Sequence, residues 1–162
     1  MLGCCCSGNK PHDLGVQPDG RLKPAPRSPN CVCSDASPAD KEHYVDALVV
    51  KGEPAEAWQV AVTTMMSWSL ADIIHRDDAY MHIQCSTRFW GFTDDLELHL
   101  RRPVNQDGST RCTIAVRSAS RLGHSDFGVN RARVESLRNL LGTAGVVELR
   151  RRSNEDSRTL LV

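Results

Sequence analysis

Leu96-Glu97-Leu98-His99-Leu100-Arg101 and the similar stretch Cys112-Thr113-Ile114-Ala115-Val116-Arg117 decide the fold. In each, apolar and polar residues alternate with a period of two, as they do when one face of a strand meets a core and the other meets water. Between them Asn105-Gln106-Asp107-Gly108 supplies turn chemistry, so the two strands are expected to pair antiparallel. An antiparallel sheet with one apolar face is therefore the starting frame.

Working outward, Ile73 to His75 and Tyr80 to Cys85 read as a hairpin around Arg76-Asp77-Asp78-Ala79, where acidic turn formers interrupt the apolar pattern. Ala47 to Val50 is a short apolar run ending at Gly52 and suits another strand. Pro54 can open a helix, because its missing N–H would lack an intrahelical partner, and Trp58, Ala61, Val62 and Met65 then share one face. Val134, Leu137 and Leu141 keep helical spacing, with Asn130 as the expected N-cap and Gly142 as the expected left-handed C-terminal residue. The order strand, helix, strands, helix predicts an α+β fold: an antiparallel sheet of about five strands with two helices packed on one face. Trp58, Val62, Met65, Leu96, Leu98, Ile114, Val134 and Leu137 should share one core.

The 162 residues suit one domain, expected over residues 42–142, with 143–162 an extension of uncertain structure. Twenty basic and twenty acidic residues cancel, so no net field draws the chain to nucleic acid, and none is expected as a partner. No apolar run approaches the ~20 residues that cross a bilayer as a helix.

Residues 1–41 are rich in Gly, Pro, Ser, Asn and Cys without helical or strand periodicity, and read as a flexible tether that becomes pinned near Pro29, Asn30 and Cys31. Leu2-Gly3-Cys4 is similar to the end of a bacterial lipobox, in which a small residue precedes a lipidated cysteine, although the apolar leader is missing. Two readings follow: a start codon upstream of Met1 and a lipid anchor at Cys4 in a bacterial cell envelope, or a thiol cluster in a cytoplasmic protein. The first is preferred. Cys4-Cys5-Cys6 and Cys31-x-Cys33 lack paired zinc-ligand spacing, so no metal and no cofactor is expected. Cys85 and Cys112 read as core.

Three stretches, Ser28-Pro29-Asn30-Cys31-Val32, Arg88 through Asp95, and Arg117 through Arg133 (RSASRLGHSDFGVNRAR), together resemble the bacterial and plant DUF1499 family over roughly Leu14 to Leu141. The resemblance implies a small domain, often carried behind a lipoprotein signal or a membrane segment, with no established activity. Ala25-Pro26 stands here where the family often has Cys-Pro, and Cys33 is additional.

Arg88, Asp94, Asp95, Arg117, Arg121, Asp126, Asn130 and Arg131 form the candidate ligand-binding set. Arg88 and Asp94 share parity with Leu96 and Leu98, so at least some of these charges should point inward unless Gly91 marks a bulge that switches the face. One reading is an internal Arg–Asp network, since a lone buried charge is costly. The other is a cleft for a small anionic ligand or an envelope protein, with an anion at the start of the second helix. A catalytic alternative, hydrolase-like, would use Asp94 and Asp126 as acid and base, or His124-Ser125-Asp126; no nucleophile elbow, phosphate loop or zinc helix accompanies it. The non-enzymatic binding module is the preferred function.

Overall fold

The computed structural model describes residues 8–9, 11–86, 92–102 and 111–149. The elements are β1 (Cys31–Cys33), β2 (Leu48–Val49), α1 (Pro54–Ser67), β3 (Ala71–Arg76), β4 (Tyr80–Ser86), β5 (Thr93–Arg101), β6 (Thr113–Ser120) and α2 (Val129–Thr143). They make an α+β fold in which six strands form one antiparallel sheet, ordered β1-β6-β5-β4-β3 with β2 also on β6. The expected Asn105–Gly108 turn lies outside the described residues. The strands it would join do pair, with Leu98 opposite Val116 and Leu100 opposite Ile114.

Both helices cover the same face. Pro54 opens α1, and Ala57, Trp58, Ala61, Val62 and Met65 are its buried residues. They meet Met81, Ile83, Leu96, Leu98, Ile114 and Val116 from the sheet and Val134, Leu137 and Leu141 from α2 in one cluster that holds all eight expected core residues. Non-directional burial of apolar area favours this layer.

The opposite face departs from expectation. Tyr80, His82, Asp95, Glu97 and Arg117 are all buried there, Glu97 completely. The alternation in β5 is present, but its polar side is buried at Asp95 and Glu97 and only half-buried at His99 and Arg101. The segment read as a tether covers it: Leu22, 1% exposed, packs on Cys33, Tyr80 and Ala115, and β1 adds an edge to the sheet. The Gly15 amide donates to Glu97 Oε1 at 2.8 Å, the Leu22 amide donates to Asp35 at 2.8 Å, and Arg101 grips Asp35 with two bonds of 2.6 Å. Short apolar runs broken by proline and glycine carry no periodicity when they cross a sheet as an extended strap, which is why the pattern read as tether.

Both ends of α2 are also corrected. Asn130 lies inside the helix, and the N-cap position is Gly128, in the left-handed region at φ 82°. At the other end Gly142 is still helical and Gly145 takes the left-handed turn. The Val146 amide donates to the Leu141 carbonyl and the Gly145 amide to the Gly142 carbonyl, the double closure of a Schellman motif. Leu149 packs where a Cβ on Gly142 would stand. In the C-terminal extension, residues 146–148 pair with Val49 to Lys51 beside β2. Among the described residues no helix is long and apolar enough to cross a membrane.

Candidate functional site

Consecutive residues of a strand point to opposite faces, so Asp94 and Asp95 at the start of β5 go to different networks. Asp94 faces the helices, as its parity with Leu96 requires. Its partner is Arg133 in the first turns of α2, at 2.5 Å, with side chains 2% and 10% exposed. Arg133 also donates to Asn130 Oδ1 and Ser118 Oγ. Asn130, wholly buried, accepts from Ser118 and donates to Ser120 Oγ and the Asn30 carbonyl. The Asn30 side chain in turn donates to the Gly123 carbonyl at 2.6 Å.

Asp95 lies on the strap-covered face. It accepts a two-pronged pair from Arg121 at 2.8 and 2.9 Å and a third bond from His82 at 2.7 Å. Burial pushes this carboxyl up, but the Arg121 and His82 bonds outweigh it and hold Asp95 below the usual carboxylate range. Beside it Glu97 accepts from Arg117 at 3.1 Å and from the Tyr80 hydroxyl at 2.8 Å. Burial and the Glu97 charge push the Tyr80 phenol up, so it remains a neutral donor. Arg117 Nε is buried without a hydrogen-bond partner among the described residues.

The remaining candidates serve the backbone. Asp126 accepts from the Gly128 amide at 3.0 Å and the Asn130 amide at 2.7 Å, so the anion position expected at the start of α2 holds the protein's own carboxylate. Arg131 donates to the carbonyls of Lys41, Glu42 and Tyr44. Ser125 Oγ accepts from the Phe127 amide. Arg88 and Cys4 lie outside the described residues. Burial pushes the thiols up, Cys31 to about 12 and Cys85 to about 11, which leaves them protonated and poor nucleophiles. Among the described residues no three His, Cys, Asp or Glu side chains are placed to hold a metal.

Outside the candidate set but part of these networks are Arg133, which the sequence puts near Arg131 at the start of the second helix, and His82, Tyr80 and Glu97. Glu97 carried a signal: it shares parity with Asp95, so a covered face for one implies a partner for the other. Also unforeseen is a groove of about 260 Å³ where α1 ends and α2 begins, lined by Trp68, Leu70, Cys85, Val129 and Ser136 with Arg133 among them. Leu70 and Phe127 are the described non-glycine residues with left-handed backbone, at φ 65° and 52°, and both are exposed.

The three stretches that carry the family resemblance converge on this end of the sheet, through Asn30, Asp94, Asp95, Ser118, Arg121 and Arg133. Comparison with curated proteins and with solved structures returned no match. A family model described as protein of unknown function (DUF1499) matches residues 21–141. That match takes in β1 through nearly all of α2, and the chain belongs to the DUF1499 family.

Proposed function

We propose that this protein is a non-enzymatic binding module of the cell envelope, held by lipid at Cys4, that takes its ligand in the groove between the end of α1 and the start of α2. The observation that carries the reading is the groove's chemistry: apolar walls from Trp68, Leu70 and Val129 surround one guanidinium, Arg133, whose charge Asp94 already balances. A site of that kind suits a ligand with an apolar body and one hydrogen-bond acceptor, since pockets combine apolar lining with a few placed polar groups. The hydrolase-like alternative asks Asp94 and Asp126 to exchange protons with a substrate. Asp94 is committed to Arg133 and Asp126 to the α2 amides, so binding is preferred over catalysis.

Dodecanoate, with an apolar tail and a carboxylate, is a suitable probe. Titrated to about millimolar against the labelled full chain, it should shift the amides of Trp68 to Ala71 and Val129 to Ser136. Ser136→Trp, at an exposed groove residue, should fill the site and abolish those shifts with the fold intact. Unmoved amides in both segments would sink the groove. The address is tested separately: with the native upstream region present, Cys4→Ser should move the protein out of the membrane fraction and remove the lipid mass.

A further inference from the structure

The strap changes what an anchor at Cys4 would mean. A flexible run to residue 41 would let the domain stand away from a membrane, whereas the chain is already docked at Gly8. Gly8 sits against Arg121 and Leu122 so closely that a Cβ there would lie 2.8 Å from Arg121 Cβ and 3.1 Å from Leu122 Cγ. Three residues lie between it and Cys4, and the four Cα-to-Cα steps span at most about 14 Å even when fully extended. A lipid on Cys4 would thus be attached within that reach of Gly8, and Gly8 lies against the loop that follows β6.

That loop belongs to one end of the sheet. Ser120 lies opposite Asp94, Thr93 opposite Ser86 and Cys85 opposite Ala71, and the Ser86 amide donates to the Leu70 carbonyl. The same end carries exposed apolar side chains: Leu70 at 48%, Phe92 at 40%, Leu122 at 44%, Phe127 at 96% and Val129 at 43%. They are five of the ten large apolar residues exposed among the described residues. Phe127 and Leu70 hold their side chains outward from left-handed backbone, where glycine would be the less strained choice. Clustered exposed apolar groups mark an interaction surface. A single acyl chain binds a bilayer only marginally, and stable anchoring takes a second contact.

We propose that this end of the sheet is the membrane-facing surface of the protein, with Leu122 and Phe127 of the loop at 121–129 entering the bilayer interface beside the Cys4 lipid. The inference rests on the lipid-anchor reading for its natural tether. The occupant is a lipid surface because a lipid at Cys4, at most about 14 Å from Gly8, would leave little room for a partner protein between this end and the bilayer. The interface adds no covalent step; it fixes the orientation in which the domain is held.

The test supplies its own tether. Vesicles of phosphatidylcholine carrying a nickel-chelating lipid grip a hexahistidine placed ahead of Met1 of the full chain, whatever the fate of Cys4. Amide hydrogen exchange should slow at 121–129 on the vesicles and stay unchanged at Asn139 and Leu140, exposed residues in the last turns of α2. Phe127→Ser with Leu122→Ser should remove the slowing and lower vesicle flotation of the untagged chain about tenfold. Leu140→Ser, at an equally exposed leucine of α2, should change neither. Phe127→Ser alone keeps the experiment decisive if the double variant folds poorly, because that side chain touches almost nothing. Equal exchange at 121–129 with and without vesicles, or equal flotation of the Phe127 and Leu140 variants, overturns the proposal. A surface built for a protein partner gives that same unprotected result. Loss of the Cys4 dependence in cells would remove the natural anchor while leaving the nickel-tethered result as it is, so the two readings fall separately.

Discussion

Asp95 shows how a buried charge is kept in this fold. Three donor atoms converge on a carboxylate that is 2% exposed, and Arg121, 5% exposed, has lost most of its own water. Replacing a buried pair by apolar groups can be neutral, but removing one partner strands the other. Asp95→Asn is thus expected to cost about 3–5 kcal/mol at neutral pH, measured by urea unfolding. The pH dependence has a fixed sign. Asp95 has its pKa depressed in the folded state, so its contribution is present above the unfolded value and is lost as pH falls through the folded value, below the usual carboxylate range. The stability difference between wild type and Asp95→Asn should shrink only in that acid window. If it shrinks instead between pH 6 and 8, the carboxylate is not the group that matters. The inward turn of Asp94 was legible in the sequence, since it needed only strand parity. The partner of Asp95 was not, because no local spacing says that the second face of the sheet is covered.

At the level of elements, α1 was read correctly from Pro54 to its buried face, and the β3–β4 and β5–β6 pairings followed from alternation and turn chemistry. The ends of α2 were misread for a physical reason. Asn130 is a good capping residue by type, but its side chain is drawn into the Ser118, Ser120 and Asn30 network, and Asp126 reaches the free amides instead. Asp126→Ala should therefore cost about 1 kcal/mol, as loss of an N-terminal cap does. Gly145→Ala should cost about 1 kcal/mol more through its left-handed backbone. Gly142→Ala tests the alternative assignment: helix propensity alone predicts a gain, whereas Leu149 packed on that site predicts a loss. Thermal unfolding of the three variants separates them, and a stabilised Gly142→Ala would show that Leu149 does not pack there.

The whole molecule is a sheet with unlike coverings, an apolar helical layer on one side and a strap over buried charges on the other. The strap is the part of the architecture least visible in the sequence, because its hold on the sheet comes from single residues such as Leu22 and from backbone bonds such as Gly15 to Glu97. Leu22→Ala should destabilise the protein by about 2 kcal/mol or more and speed amide exchange at Gly15, whereas a substitution in a free tether would stay within about 0.5 kcal/mol. The strap's partners also impose an order of events during synthesis. The Gly15 amide waits for Glu97, and β1 waits for Ser118 and Ala119, which leave the ribosome more than 80 residues later. Contacts so distant in sequence close slowly. The strap from Gly15 to Cys33 therefore spends much of the period of translation without its partners on the sheet, open to solvent and to whatever acts on extended chain.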